Sequence, residues 1–167
     1  MTTTPAWLAA ARALIGVRET PGAGNNPIIM GWAAKLGARV LGMIYNADAT
    51  PWCGLTIAHV MQVAGIAPPP IAVRAKSWAT WGVPLPSNKV APGAVLVFER
   101  PGGGHVGLYV GENDRSYRVL GGNQGDRVCE TWIEKRRCVA IRWPSGVAVV
   151  GGPVKLAGSG AASKNEA

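Results

Sequence analysis

The residues able to do covalent chemistry in this chain are few, and their order is informative. Cys53 lies in the run Asp48-Ala-Thr-Pro-Trp-Cys53-Gly-Leu-Thr-Ile-Ala-His59-Val-Met-Gln-Val-Ala64, which predicts a cysteine at the mouth of an amphipathic helix. Thr50 suits the N-cap and Pro51 the first helical position. Cys53 then falls in the first turn, where unpaired backbone N–H groups and the positive end of the helix dipole favour a thiolate. A thiolate nucleophile needs a base and a group that orients the base. His105 is the candidate base, and Asn123, 18 residues further on in Leu-Gly-Gly-Asn-Gln-Gly, the candidate orienter. Cysteine on a helix, then histidine and asparagine on strands, points to thiol hydrolase chemistry.

The elements that must position these groups follow from periodicity and punctuation. Residues 6–18 repeat Trp7, Leu8, Ala11, Leu14 and Ile15 at the spacing of one buried helix face. Ile28 to Leu36 predicts a second helix ended by Gly37, with 38–50 irregular. The Cys53 helix runs to about Ala64 and stops at Gly65, before three prolines at 68–70. Arg74 to Trp81 predicts a short helix. Beyond Pro92-Gly93 the pattern turns to strands at 94–99, 105–111, 116–121, 127–133 and 137–143. Helices first and strands second predict an α+β domain, N-terminal helices packed on a C-terminal antiparallel sheet of about five strands. Residues 1–145 form one catalytic domain in this scheme. Residues 146–167, rich in Gly, Ala, Ser and Val, form a flexible tail.

On strand 105–111, His105, Gly107 and Tyr109 share one face, and Val106, Leu108 and Val110 the other, which is expected to be the buried one. His105 is therefore expected to point out of the core, beside a glycine that leaves space. A three-residue hairpin loop at Asn113-Asp-Arg115 places His105 opposite Asn123. Asn123 would then accept from one ring nitrogen and leave the other for Cys53. Asp126 is the fallback orienter. His59 lies six positions after Cys53, about 600° around the helix at ~100° per residue, and faces away from it.

The chain has 167 residues, 48% hydrophobic and with a net charge of +8, enough apolar content for a core and a balance that favours anionic partners. The basic residues are dispersed, with Lys135-Arg136-Arg137 as the one tight cluster. No basic-aromatic motif accompanies them, so nucleic acid is not expected as a partner. Three irregularly spaced cysteines, Cys53, Cys129 and Cys138, fit neither a disulfide framework nor a zinc site, although Cys129 and Cys138 could pair across adjacent strands. No metal is expected. The first residues carry no charged leader and no long apolar run, so no signal peptide is expected. No stretch approaches ~18 apolar residues, so no stable membrane insertion is expected.

Pro51-Trp-Cys53 opening a helix, Arg74-Ala-Lys-Ser-Trp78, Pro92-Gly-Ala-Val-Leu-Val-Phe98, Gly104-His-Val-Gly-Leu-Tyr109 and Leu120-Gly-Gly-Asn-Gln124, in that order, resemble the NlpC/P60 superfamily, and within it the CHAP-like cell-wall hydrolases of phages and bacteria. The resemblance spans about residues 6 to 144. It implies a papain-like core and cleavage of amide bonds in peptidoglycan without a cofactor. The nucleophile maps to Cys53, the base to His105 and the third polar residue to Asn123. One departure is Trp52, where members commonly carry Asp or Gln before the cysteine. The Cys53 N–H would help hold the oxyanion, with Tyr45 as a second donor. Trp52 and Trp78 either line the groove or are core aromatics. Asp48 either meets a substrate ammonium group or supports the loop. A monomer is expected, made in the cytoplasm and acting on the wall after release or injection, as a phage endolysin does. The rivals are a cysteine protease or deamidase acting on protein, and a catalytically silent wall-binding or virion module on the same fold.

Overall fold

The computed structural model describes residues 3–22, 24–47 and 51–158. Three helices come first: α1 (Ala6–Ala13), α2 (Pro27–Leu41) and α3 (Cys53–Val63). A 3-10 helix, Ala75–Thr80, leads into six strands: β1 (Val83–Pro84), β2 (Val95–Arg100), β3 (Gly103–Glu112), β4 (Ser116–Gly121), β5 (Cys129–Glu134) and β6 (Cys138–Trp143). They form one antiparallel sheet in the order β1-β6-β2-β3-β4-β5. The architecture is α+β. The sixth strand, β1, pairs only Val83 with Trp143 and Pro84 with Arg142, and is too short to show alternation.

Two helix ends depart from the periodicity. α1 stops at Ala13 because the chain turns at Gly16 (φ 102°) and pairs instead with a distant loop. Gly16 N donates to Val128 O (3.0 Å) and Val128 N to Val17 O (2.7 Å). In α2, Asn26 caps Ile28 N (2.7 Å) and Pro27 opens the helix. Gly37 (φ 82°) kinks α2 but does not end it; the helix resumes and buries Leu41 before Gly42 (φ 82°) closes it. α3 is buried on nearly every side, from Cys53 to Ala58 and again at Val60 and Met61. It packs on β3, with α1 and α2 against it. A helix covered all round shows little amphipathicity.

The β3–β4 hairpin has the expected loop. Asn113 Oδ1 accepts from Arg115 N (2.9 Å) and Ser116 N (2.8 Å), a side chain replacing backbone turn bonds. A bulge between Tyr109 and Gly111 shifts the register, so Glu112 faces Tyr117 near the turn and Leu108 faces Leu120 toward the far end. Both faces of β3 are buried from His105 onward, so His105 does not point out of the core as alternation suggests.

The chain after Pro144 also differs from the expected flexible tail. Glu112 N donates to Val154 O (2.8 Å) and Leu156 N to Glu112 O (2.8 Å). Residues 159–167 of that tail lie outside the described residues. Beneath this strap, Tyr109 Oη donates to Glu112 Oε2 (3.0 Å), and Lys155 and Lys135 meet Glu112 Oε1 at 2.6 and 3.4 Å. Among the described residues no helix is long and apolar enough to cross a membrane.

Burial alone would push the Glu112 carboxyl up, but the bonds from Lys155 and Tyr109 and the charge of Lys135 outweigh it and hold it below the usual carboxylate range. Its stabilisation is therefore present above the unfolded-state value and is lost as pH falls through the folded one. Glu112→Gln is expected to cost about 1–3 kcal/mol at neutral pH and to flatten the loss of stability on acidification. Urea unfolding across a pH series measures both.

Candidate active site

Cys53 opens α3 with its side chain 3% exposed. Trp52 occupies the N-cap position and no side chain caps the helix; the first helical bond runs from Thr56 N to Trp52 O (3.0 Å). The first-turn N–H groups are thus left for other acceptors. Pro51, expected at the first helical position, instead precedes the N-cap, and the expected cap, Thr50, lies with Asp48 outside the described residues. The backbone N–H groups of Val106, Gly54 and Cys53 itself favour the thiolate, which puts the sulfur near the backbone of β3. Burial nevertheless raises the thiol above its ordinary value; those donors and the positive charge of Arg100 offset only part of it.

His105 is fully buried, with its ring 6.4 Å from that of Phe98. The partner of its Nε2 is not Asn123 but Gln124, at 2.9 Å from Oε1. The direction of that bond is fixed by the amide's other end. Gln124 Nε2 donates to Val119 O (3.2 Å) and Cys129 O (2.6 Å), so Oε1 must be the atom facing the histidine. His105 Nε2 therefore carries the proton, and Nδ1 is the nitrogen able to accept one. The Gln124 backbone is held as well: its N donates to Arg127 O (3.0 Å) and its O accepts from Cys129 Sγ (3.2 Å).

Asn123 fails as orienter for a backbone reason. β4 ends at Gly121, and Asn123 adopts φ 58°, a left-handed turn that takes it off the ladder before it can face His105. It is buried, with Oδ1 making no hydrogen bond. Asp126 is exposed at φ 60° and is not the partner either. The signal for Gln124 was Gly121. A Cβ on Gly121 would lie 2.9 Å from Gln124 Oε1, and one on Gly107 would press on Val119. Gly121 clears the space for that side chain, and Gly107 clears it for Val119.

The aromatic candidates belong to the core. Trp52 is fully buried and donates from Nε1 to Glu19 Oε1 (2.7 Å). Trp78 is fully buried and donates to Ala72 O (3.0 Å). Tyr45 is 8% exposed within the hydrophobic cluster and does not line the groove at Cys53. His59 is half-buried and stacks on Trp32 (4.9 Å, 14°); burial, then Lys35, lowers its pKa. Cys129 and Cys138 lie on β5 and β6, separated by three strands, and all three cysteines are free.

A groove of about 450 Å³ opens onto Cys53. Met43, Ile71 and Val73 give it an apolar wall, and Arg74, Lys76 and Arg100 bring three cations. His105 and Gln124 are not among the residues that line it. This arrangement can present a sulfur nucleophile to a bound electrophile, remove its proton through a histidine of fixed tautomer, and offer N–H donors at a helix start to a developing oxyanion. The chain matches no protein-family model and no curated protein.

The bond to Gln124 makes a spectroscopic prediction. Long-range 15N–1H correlation spectra of the neutral ring should show His105 as the Nε2–H tautomer. Asn123→Ala should preserve that pattern, and Gln124→Leu should mix or reverse it.

Proposed function

We propose that the protein is a cysteine hydrolase of amide bonds that acts on peptidoglycan, with Cys53 as nucleophile, His105 as base and Gln124 as orienter, on a papain-like fold of the NlpC/P60 kind. The observation that carries this reading is a buried histidine whose Nε2 is fixed by Gln124, on the strand whose next residue, Val106, bears on the thiol of a cysteine at a helix start. The sequence resemblance supports the wall as substrate, and so do the net charge of +8 and a cationic groove facing an anionic polymer.

The reaction balances without a cofactor. His105 Nδ1 takes the Cys53 proton as sulfur attacks the amide carbonyl carbon. The carbonyl π electrons move to oxygen, which accepts from N–H groups at the start of α3. The intermediate collapses by breaking the C–N bond, and His105 gives its proton to the departing amine. Water, deprotonated by His105, then attacks the thioester, and the acid leaves as the proton returns to sulfur. Because burial raises the thiol, the proton moves in step with attack rather than forming a resting thiolate. The cellular setting we propose is a phage lysis enzyme that reaches the wall after release. A second reading, a silent wall-binding module, is favoured by the 3% exposure and raised pKa of Cys53.

Purified Gram-negative and Gram-positive peptidoglycan, followed by turbidity and by mass spectrometry of released fragments, separates the two. The wild type should release fragments whose masses name the bond. Cys53→Ala and His105→Ala should lose about 10³-fold or more, and Gln124→Ala about 10²-fold. Wall binding without cleavage by the wild type selects the silent module. The raised thiol gives a separate expectation: iodoacetamide labelling of the Cys53 peptide should climb about tenfold per pH unit and keep climbing past the ordinary thiol range. Arg100→Gln should move that profile further up, since it removes a charge that favours the thiolate.

A further inference from the structure

The basic run Lys135-Arg136-Arg137 has no part in the chemistry at Cys53, yet the fold gives it a definite setting. It forms a 3-10 turn between β5 and β6. Lys135 turns toward Glu112, 3.4 Å away, while Arg136 and Arg137 line a depression of about 590 Å³ together with Lys76, Glu99, Arg100 and the β2–β3 turn. Sheet order explains why these cations meet. Arg137 precedes β6, Arg100 ends β2, and Lys76 lies over Gly104 in β3, where a Cβ would come within 3.2 Å of its Cγ. β6, β2 and β3 are consecutive neighbours, and neighbouring strands lie about 4.8 Å apart. The three positive side chains therefore come from adjoining positions across one end of the sheet, and Arg136 adjoins Arg137.

Two of the guanidiniums are anchored. Arg100 Nε donates to Gly104 O (3.2 Å) and Arg137 Nε to Glu99 O (3.0 Å). Anchoring through Nε fixes the plane of each fork, so less freedom is lost when its outer N–H groups meet an anion. Glu99 lines the same depression and Glu134 pairs with Arg136, so the cations are partly but not fully balanced. The like charges act on one another: burial lowers the pKa of Arg137, and the charges of Arg100 and Arg136 add to that against the pull of Glu134. Among the described residues that line the depression there is no aromatic ring for a base to stack on. Pro101 is the one apolar side chain there besides the glycines, too little to enter a lipid surface.

From this arrangement we propose that the end of the sheet at residues 99–103 and 135–137 is a second binding site, for a polymer of phosphodiesters without bases, a polyol phosphate. A row of cations that crosses three neighbouring positions is longer than a single phosphate or carboxylate, so it suits repeated anions. The oxygens of a phosphodiester diverge tetrahedrally and can accept from two adjoining forks, whereas a planar carboxylate is met best by one. No covalent step is involved, and the site stands whether or not Cys53 is a nucleophile. Lys76 and Arg100 also line the groove at Cys53, so the two depressions meet at the β2–β3 turn. A polymer bound here would hold the groove against whatever surface carries that polymer.

Calorimetry at fixed ionic strength tests this with three probes of equal charge: a short poly(glycerol phosphate), polyglutamate and a single-stranded oligonucleotide. The wild type should bind the polyol phosphate about tenfold or more tighter than polyglutamate. Arg136→Gln/Arg137→Gln should lower that affinity about tenfold and make its fall with added salt shallower. Arg39→Gln/Lys89→Gln removes the same charge at two exposed positions away from the depression, and should lower it less than about twofold. Arg136→Gln alone, at a side chain 79% exposed, should give an intermediate loss without disturbing the core. Equal losses from the two double variants would overturn the site, since net charge alone would then account for binding. Polyglutamate bound as tightly as the polyol phosphate, the oligonucleotide bound more tightly than either, or no binding of the polyol phosphate would overturn it as well.

Discussion

The arrangement at Cys53 depends on how closely the first turn of α3 can approach its surroundings. Gly54 lies under the carbonyls of Ala72 and Val73; a Cβ there would be 2.6 Å from Val73 O. Gly122 lies against Thr56 and Trp52, where a Cβ would be 2.9 Å from the Trp52 ring and closer still to Thr56 Oγ1. Two missing methyl groups let the helix start close on the 72–73 carbonyls and on the turn after β4, and the Val106 N–H favours the Cys53 thiolate. A helix held a few tenths of an ångström further out would keep the same residues and lose that interaction. Close packing makes such a displacement costly, because the helix is buried from Cys53 to Ala58.

The same region ties the helix carrying Cys53 to the loop that holds Gln124 against His105. Trp52 donates to Glu19, and Glu19 N donates to Asp126 O (3.0 Å). Arg18 and Arg127 form a bridge in the same place. The chain between α1 and α2 is therefore a link between the helix carrying Cys53 and the loop carrying Gln124. This explains why α1 ends early: its continuation is used to pair with residues 126–128. It also explains Trp52 next to the cysteine, where the resembled superfamily commonly has Asp or Gln. Here that position reaches inward to anchor the helix rather than outward to a substrate.

The α+β order, most of the strand spans and the hairpin loop were legible because each has a local signal. Periodicity gives the helices and strands, and Asn113 gives the turn. The orienter was not, because its assignment depends on where β4 stops. Register alone puts residue 123 opposite His105, and the left-handed turn at Asn123 hands the role to its neighbour. The tryptophans were ambiguous for another reason: an indole needs both an apolar bed and an acceptor, and a core and a groove can each supply them. The three groove cations were invisible as a group. They are dispersed in sequence, and only the β2–β3 turn folding beside the 3-10 helix makes them neighbours.

Arg100 serves two charges that compete for it. Its field favours the Cys53 thiolate, and it lines the groove beside Cys53. An anion bound there would screen Arg100 and place a like charge near sulfur, so binding alone would make the thiolate harder to form. A mechanism that stored a thiolate before binding would lose it on substrate entry. One in which the proton passes to His105 as the C–S bond forms does not suffer this, because the charge leaving sulfur appears on the carbonyl oxygen, where neutral N–H donors receive it. The fixed His105 tautomer is what such a mechanism needs, since Nδ1 must be free of its proton before attack begins. The Gln124 amide sets that condition through two backbone carbonyls, and neither depends on the charge in the groove.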